Sequence, residues 1–318
     1  MGKLYLILFL SMACFGLETL KPLYSLKATG GVQSIVSKDK LLYAGTDNGT
    51  IDIFNLSNKK KINTIKLPKI KDFTGENINT KIYSLDLFEN TLLITSEGEG
   101  GYRDIYIYKD KKLERIIDAK SKLITQKANF VSKEQIILAF LSNQIALYDL
   151  KSKKYLYTKQ LSMSSFSHFM ISEDKTKIVS TDESGIVRIV DIKTGKVIKQ
   201  LPALNLDKVY QVDYKSGVVL TAGQDRKAVV YTNSGSSYRL DFNFLLYSCA
   251  LNPKGTRGAI AYNEQNEVLV FDILTKKYLY NLIGQDATMT QILFINDKEL
   301  IVTSDSEKIN YFKLGEKK

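Results

Sequence analysis

Few side chains in this sequence could do chemistry. Its 318 residues include one histidine, His168, two cysteines, Cys14 and Cys249, and no tryptophan. A zinc site of His and Cys ligands, a Cys-x-x-Cys-His haem attachment or a Cys-ligated cluster needs more soft ligands than these. No metal site and no cofactor are therefore expected. Cys249 lies in the apolar run Tyr247-Ser248-Cys249-Ala250-Leu251, the setting of a buried structural thiol rather than a reactive one. His168 could act as a general base, but the chain has no Gly-x-Ser-x-Gly nucleophile elbow for it to serve. Acidic or amide residues recur at Asp47, Glu97, Asp182, Asp225, Asn263 and Asp305. A ring of them could hold a hard cation, yet each falls in a tight turn, where Asp and Asn are favoured for backbone reasons alone.

The formal charge is +11, and Arg fills only six of the 45 basic positions. Nucleic-acid readers cluster Arg on one element, whereas here Lys is scattered over turns such as Lys59-Lys60-Lys61 and Lys276-Lys277. The pattern fits a solvated surface with no nucleic-acid partner.

Residues 1–16, MGKLYLILFLSMACFG, carry one basic residue, a short apolar run from Leu4 and then small residues. This is the pattern of a secretory signal, too short to cross a bilayer. Cleavage is expected after Ala13 or Gly16, leaving an exported, periplasmic chain without a transmembrane segment. Leu10-Ser11-Met12-Ala13-Cys14 also loosely matches a lipoprotein cleavage site, which would lipidate Cys14. Cys249 is then the only secure cysteine of the mature chain, and no intramolecular disulfide is expected.

From residue 30 onward, short runs of Ile, Val, Leu, Tyr and Phe alternate with Asp, Asn, Gly, Ser and Lys clusters, and helical periodicity is absent. Phe54, Tyr108, Tyr148, Val190, Tyr231, Phe271 and Phe312 close the third run of successive units, at spacings of 54, 40, 42, 41, 40 and 41 residues. A repeat of that length with four short strands predicts a propeller blade. The all-β expectation is one domain, residues 17–318, forming a seven-bladed β-propeller. The last unit lacks its fourth strand, and residues 20–26 resemble the fourth strands elsewhere, so N-terminal and C-terminal strands should close the ring in one sheet.

Fourteen residues before those six turn positions and the equivalent Leu141 lies the column Gln33, Tyr83, Lys127, His168, Gln211, Cys249 and Gln291, expected on the innermost strands lining the channel. It contains no carboxylate to orient His168 or hold a cation. The 54-residue spacing divides its excess between residues 66–81 (KLPKIKDFTGENINTK) and residues 97–103 (EGEGGYR). Loops of both kinds emerge on one face of a propeller, so Phe73, Tyr102 and Arg103 are the expected partner-binding residues.

On these repeats the chain resembles the WD-repeat and related seven-bladed propellers, in degenerate form. The signature Trp is replaced by the seven residues that close the third strands, and the Gly-His pair is missing. The hydrogen-bonded tetrad built on that Trp and His cannot form, so apolar packing is expected to hold the blades together. The size, the short signal running straight into LETLKPLYSLKATGGVQSIVSKDKLLYAGTDNGTIDIFN and the Trp-free blades resemble the NapL family, accessory propellers of periplasmic nitrate reductase systems. That resemblance implies a periplasmic protein without redox chemistry of its own that supports assembly or electron supply of nitrate reductase subunits; the chain is expected to be a monomer. An envelope-assembly scaffold lipoprotein and, less favoured, a lactonase-type propeller hydrolase remain alternatives. Quinone-dependent propellers, which dock blades and cofactor through Trp, are disfavoured.

Overall fold

The computed structural model describes residues 17–315; the expected signal, with Cys14, lies outside the described residues. Seven antiparallel sheets follow one another along the chain, each with strands a to d running outward from a common axis. Blade one is typical, with Val32–Lys38, Leu41–Thr46, Thr50–Asn55 and Lys60–Lys66. Each inner strand touches that of the next blade, and Met289–Phe294 of blade seven touches Val32–Lys38 of blade one, completing the circle.

Both faces of a blade are covered by its neighbours, so middle strands become continuous apolar runs rather than alternating ones. Gln135–Phe140 of blade three is buried at every position after the first, while the outer strand Val197–Gln200 of blade four is exposed throughout. Seven apolar clusters fill the seven blade interfaces. One joins Ile51, Ile53, Ile82, Leu92 and Tyr106 between blades one and two; another joins Leu26, Phe54, Ile309 and Tyr311 between blades seven and one.

Apolar packing is not the only bond between blades. Outer-strand tyrosines reach the carbonyl just past strand c of the following blade. Tyr157 Oη donates to Ile192 O at 2.5 Å, Tyr238 Oη to Ile273 O at 2.7 Å and Tyr280 Oη to Gly315 O at 2.7 Å. Each such bond contributes about 1 kcal/mol, a partial substitute for the missing Trp tetrad. Burial raises the Tyr157 phenol to about 12, so these donors stay protonated.

The closure uses two N-terminal strands instead of one. Tyr24–Lys27 pairs with Lys308–Lys313 as the fourth strand of blade seven, with Tyr24 stacked on Tyr311 at 4.7 Å and Ser25 bonded to Asn310. Glu18–Leu20 instead pairs in parallel with Tyr280-Asn281-Leu282, adding a fifth strand to blade six. The expected single strand over residues 20–26 therefore breaks between the two blades. Pro22 lies in the gap, where its missing N–H ends the first ladder. Gly284, at φ +103°, packs against the Pro22 ring where a side chain would crowd it.

Candidate functional site

An inner strand has a ladder partner on one side only, so its other edge presents unpaired backbone groups toward the channel. Side chains from adjacent blades satisfy many of them. Ser34 Oγ accepts from Leu85 N–H at 3.1 Å, Ser84 Oγ from Ala128 N–H at 3.2 Å, Asp86 from Phe130 N–H at 2.6 Å and Asp213 from Leu251 N–H at 2.7 Å. At the seam, the Gln291 amide accepts from Ile35 N–H at 2.9 Å and donates to Ile35 O at 3.1 Å. Gln211 Nε2 crosses to Thr290 O at 2.6 Å.

All seven residues of the expected column, from Gln33 to Gln291, border the resulting cavity of about 560 Å³. In blades one and two the register is off by one. The strand pairing shifts on either side of Gln33 and Tyr83, which sit at β-bulges, and the structural equivalents of Lys127 and His168 are Ser34 and Ser84. The cause lies in the turns on both sides of strand b. Blades one and two reverse through only two residues, Asp39-Lys40 and Glu89-Asn90, as blade five does, but Asp47 and Glu97 stand two residues past the strand partners of Ser34 and Ser84 whereas Asp225 stands three past that of Gln211, so a fixed count slips. The wall also carries the carboxylates Asp86, Glu173 and Asp213, contrary to the expectation from that column. Asp86 and Asp213 follow Ser84 and Gln211 by two residues on the same strand face; period-two counting from a correct register would have found them.

Lys127 Nζ stands 2.7 Å from His168 Nε2 and 3.6 Å from Met170 Sδ. An ammonium group can only donate, so Nε2 is the acceptor and the other ring nitrogen, Nδ1, carries hydrogen toward Val212 O at 3.1 Å. Burial lowers the Lys127 amine to about 8 despite the opposing charges of Asp86 and Asp213. The His168 imidazole is held well below its ordinary range, first by burial and then by the Lys127 charge. Nearby, Asn129 Oδ1 and Ser167 Oγ are buried without a protein partner. Cys249 is buried and unpaired; its Sγ lies 3.4 Å from Leu220 O, and burial pushes the thiol well up.

The second candidate region is the face of blade two. Residues 66–81 form a small hairpin, Ile70–Lys71 with Asn77–Ile78, whose turn is tied by Asp72 accepting from Thr74 and Glu76. These bonds lower the Asp72 carboxyl from its ordinary value. The hairpin touches the short 3-10 turn Glu99–Gly101, so the structure brings both insertions together. Between them lies a cleft of about 650 Å³, bordered by Pro68, Lys69, Ile70, Tyr102, Tyr106 and Arg115 among others. Asp104 braces its floor, accepting from Tyr106 Oη, Arg115 and Ala119 N–H. Burial and the Asp104 charge raise the Tyr106 phenol to about 12.

The three expected partner residues do not form one patch. Tyr102 borders the cleft, whereas Phe73 is 100% exposed on the hairpin turn and does not. Arg103 is turned inward, 9% exposed, stacked 3.9 Å over the Tyr83 ring and donating to Gly101 O and Tyr102 O. Its work is to shape the turn. The cleft cations Lys69, Lys120 and Lys122, which stand beside it, were hidden in the sequence by the chain-wide excess of Lys.

The recurring turn carboxylates are engaged by nearby backbone N–H groups and side chains. Asp47 accepts from Gly31 N–H, Asp225 from Leu206 N–H, and buried Asp182 from Ser184, Ser162, Asn143 and Arg188. Among the described residues, no three His, Cys, Asp or Glu side chains converge in a metal-binding arrangement. The geometry defines the class: a seven-bladed β-propeller closed by its own N-terminal strands. Comparison with known family models and with curated proteins finds no match.

Proposed function

We propose that this chain is an exported, non-catalytic propeller scaffold that serves as an accessory protein of a periplasmic nitrate reductase system. The scaffold half of the reading is supported by one observation above the rest: two insertions, one leading into blade two and one within it, meet on one face and enclose a cleft, while Phe73 stands fully exposed on the hairpin turn. Loops on a rigid ring are where recognition concentrates. The nitrate reductase half is supported by the sequence resemblance and by the signal pattern at residues 1–16.

Affinity purification of the tagged full chain from its own periplasm, with mass spectrometry of what accompanies it, tests both halves. Nitrate reductase subunits are expected, and a double variant Phe73→Ala, Tyr102→Ala should retain roughly a tenth of them or less. Recovery of envelope-assembly factors with no nitrate reductase subunit would overturn the assignment. The mass of the mature N-terminus is expected to be that of an unmodified chain starting at Cys14 or Leu17; acyl chains on Cys14 would favour the lipoprotein scaffold instead.

A further inference from the structure

The central channel contains a group that neither the ring nor the blade-two face explains. Lys127 is surrounded by protein yet keeps partial exposure to the lumen, and the hydrogen-bond partners of its Nζ are neutral, an imidazole nitrogen and a thioether sulfur. The carboxylates that could pair with it, Asp86 and Asp213, are held by backbone N–H groups of neighbouring blades. An amine placed against a neutral imidazole, in a pocket large enough for a small molecule, is the arrangement of a nucleophilic lysine with an adjacent base.

The remaining wall restricts the ligand. Three carboxylates, Asp86, Glu173 and Asp213, face the lumen against two ammonium groups, Lys127 and Lys215, which disfavours an anionic ligand. Asn129 Oδ1 and Ser167 Oγ are buried polar atoms awaiting a partner, and Oδ1 can only accept. A rotation of either side chain toward the lumen it borders would let a ligand hydroxyl satisfy it. We infer that the channel captures a small uncharged hydroxy-aldehyde, such as the open form of a short sugar, as a reversible imine on Lys127 Nζ, with His168 Nε2 relaying the proton.

The step balances without a further reagent. The neutral amine attacks the carbonyl carbon, forming a C–N bond as the C=O π pair moves to oxygen. His168 Nε2 takes the proton from nitrogen and returns one to the carbinolamine hydroxyl, which leaves as water when the C=N bond forms. The inference is independent of the scaffold proposal, since a ring that holds partners can also respond to a metabolite in its channel.

Reductive trapping tests it. The full chain is incubated at pH 7.5 with glycolaldehyde and sodium cyanoborohydride, and the labelled lysines are mapped by peptide mass spectrometry. An amine that titrates near 8 has about two-hundredfold more neutral form at that pH than a surface lysine. After allowance for its lower nucleophilicity, Lys127 should label roughly tenfold faster than the surface lysines. His168→Gln should remove most of that advantage while leaving surface labelling unchanged, and anionic glyoxylate should label Lys127 more slowly than glycolaldehyde does. Labelling of wild-type Lys127 no faster than the surface lysines overturns the inference, as does equal preference for glyoxylate; neither outcome depends on a variant folding.

Discussion

Along the channel, most polar side chains that face a neighbouring blade are committed to the ring itself. Ser34, Ser84, Asp86, Asp213 and Gln291 each bond a backbone group of the neighbouring blade, and Gln291 does so with both ends of its amide at the seam. On the blade-two face, Phe73 is wholly exposed and the cations Lys69, Lys120 and Lys122 border an open cleft. One repeat thus supplies two kinds of surface. Inward positions close a circle whose inner strands would otherwise expose unpaired edges, while insertions on the rim add residues the fold does not need. The comparison teaches where substitutions should cost stability and where they should cost binding.

The largest effect is expected at the closure. A chain beginning at Val32 loses the fourth strand of blade seven and the fifth of blade six, with Leu26 drawn out of its core and the Tyr24–Tyr311 stack broken. At about 1.5–3 kcal/mol per buried side chain, the loss exceeds roughly 5 kcal/mol. Thermal melting should show a collapse of the whole ring; a melting temperature equal to that of the chain from residue 17 would contradict the closure.

Next comes the channel charge. The folded Lys127 amine titrates near 8 and the unfolded one near its ordinary value of 10.5, so between those values the unfolded chain binds more protons and stability rises with pH. The rise amounts to at most about 3 kcal/mol. Urea melts from pH 7.5 to 10.5 should show it in the wild type and a smaller rise in Lys127→Met. His168 acts in the same direction at lower pH: its folded value is depressed, so its contribution is present above the unfolded value and is lost as pH falls through about 6.5.

Smaller again is the seam amide. Gln291→Leu leaves the Ile35 N–H and C=O without their partner, at a cost of about 2 kcal/mol by chemical denaturation. The smallest stability change belongs to the rim, where Phe73→Ala should shift unfolding by less than about 0.5 kcal/mol while weakening partner binding. A destabilisation by Phe73→Ala as large as that of Gln291→Leu would erase the distinction between the two regions.

Most of the architecture was legible because strand-ending residues recurring about every forty residues are a long-range signal that local errors do not disturb. The channel was harder. Gln33 and Tyr83 do border the channel, but a fixed count put them, at β-bulges, one residue out of register with Lys127 and His168. That slip hid Ser34 and Ser84 and drew attention away from Asp86. Arg103 looked like a binding residue because it ends an insertion, but its stack on Tyr83 is a tertiary contact with no trace in local sequence. The tyrosine bonds between blades were equally invisible, although the pairing of no Trp with 19 Tyr was the clue.

Hydrogen–deuterium exchange of the full chain, alone and with purified periplasmic nitrate reductase, tests the central claim most directly. The account predicts slowed exchange at residues 68–75 and 98–102 on the blade-two face, with the inner strands already protected and unchanged. Unchanged exchange on that face, or protection confined to the turns on the opposite side of the ring, would contradict it.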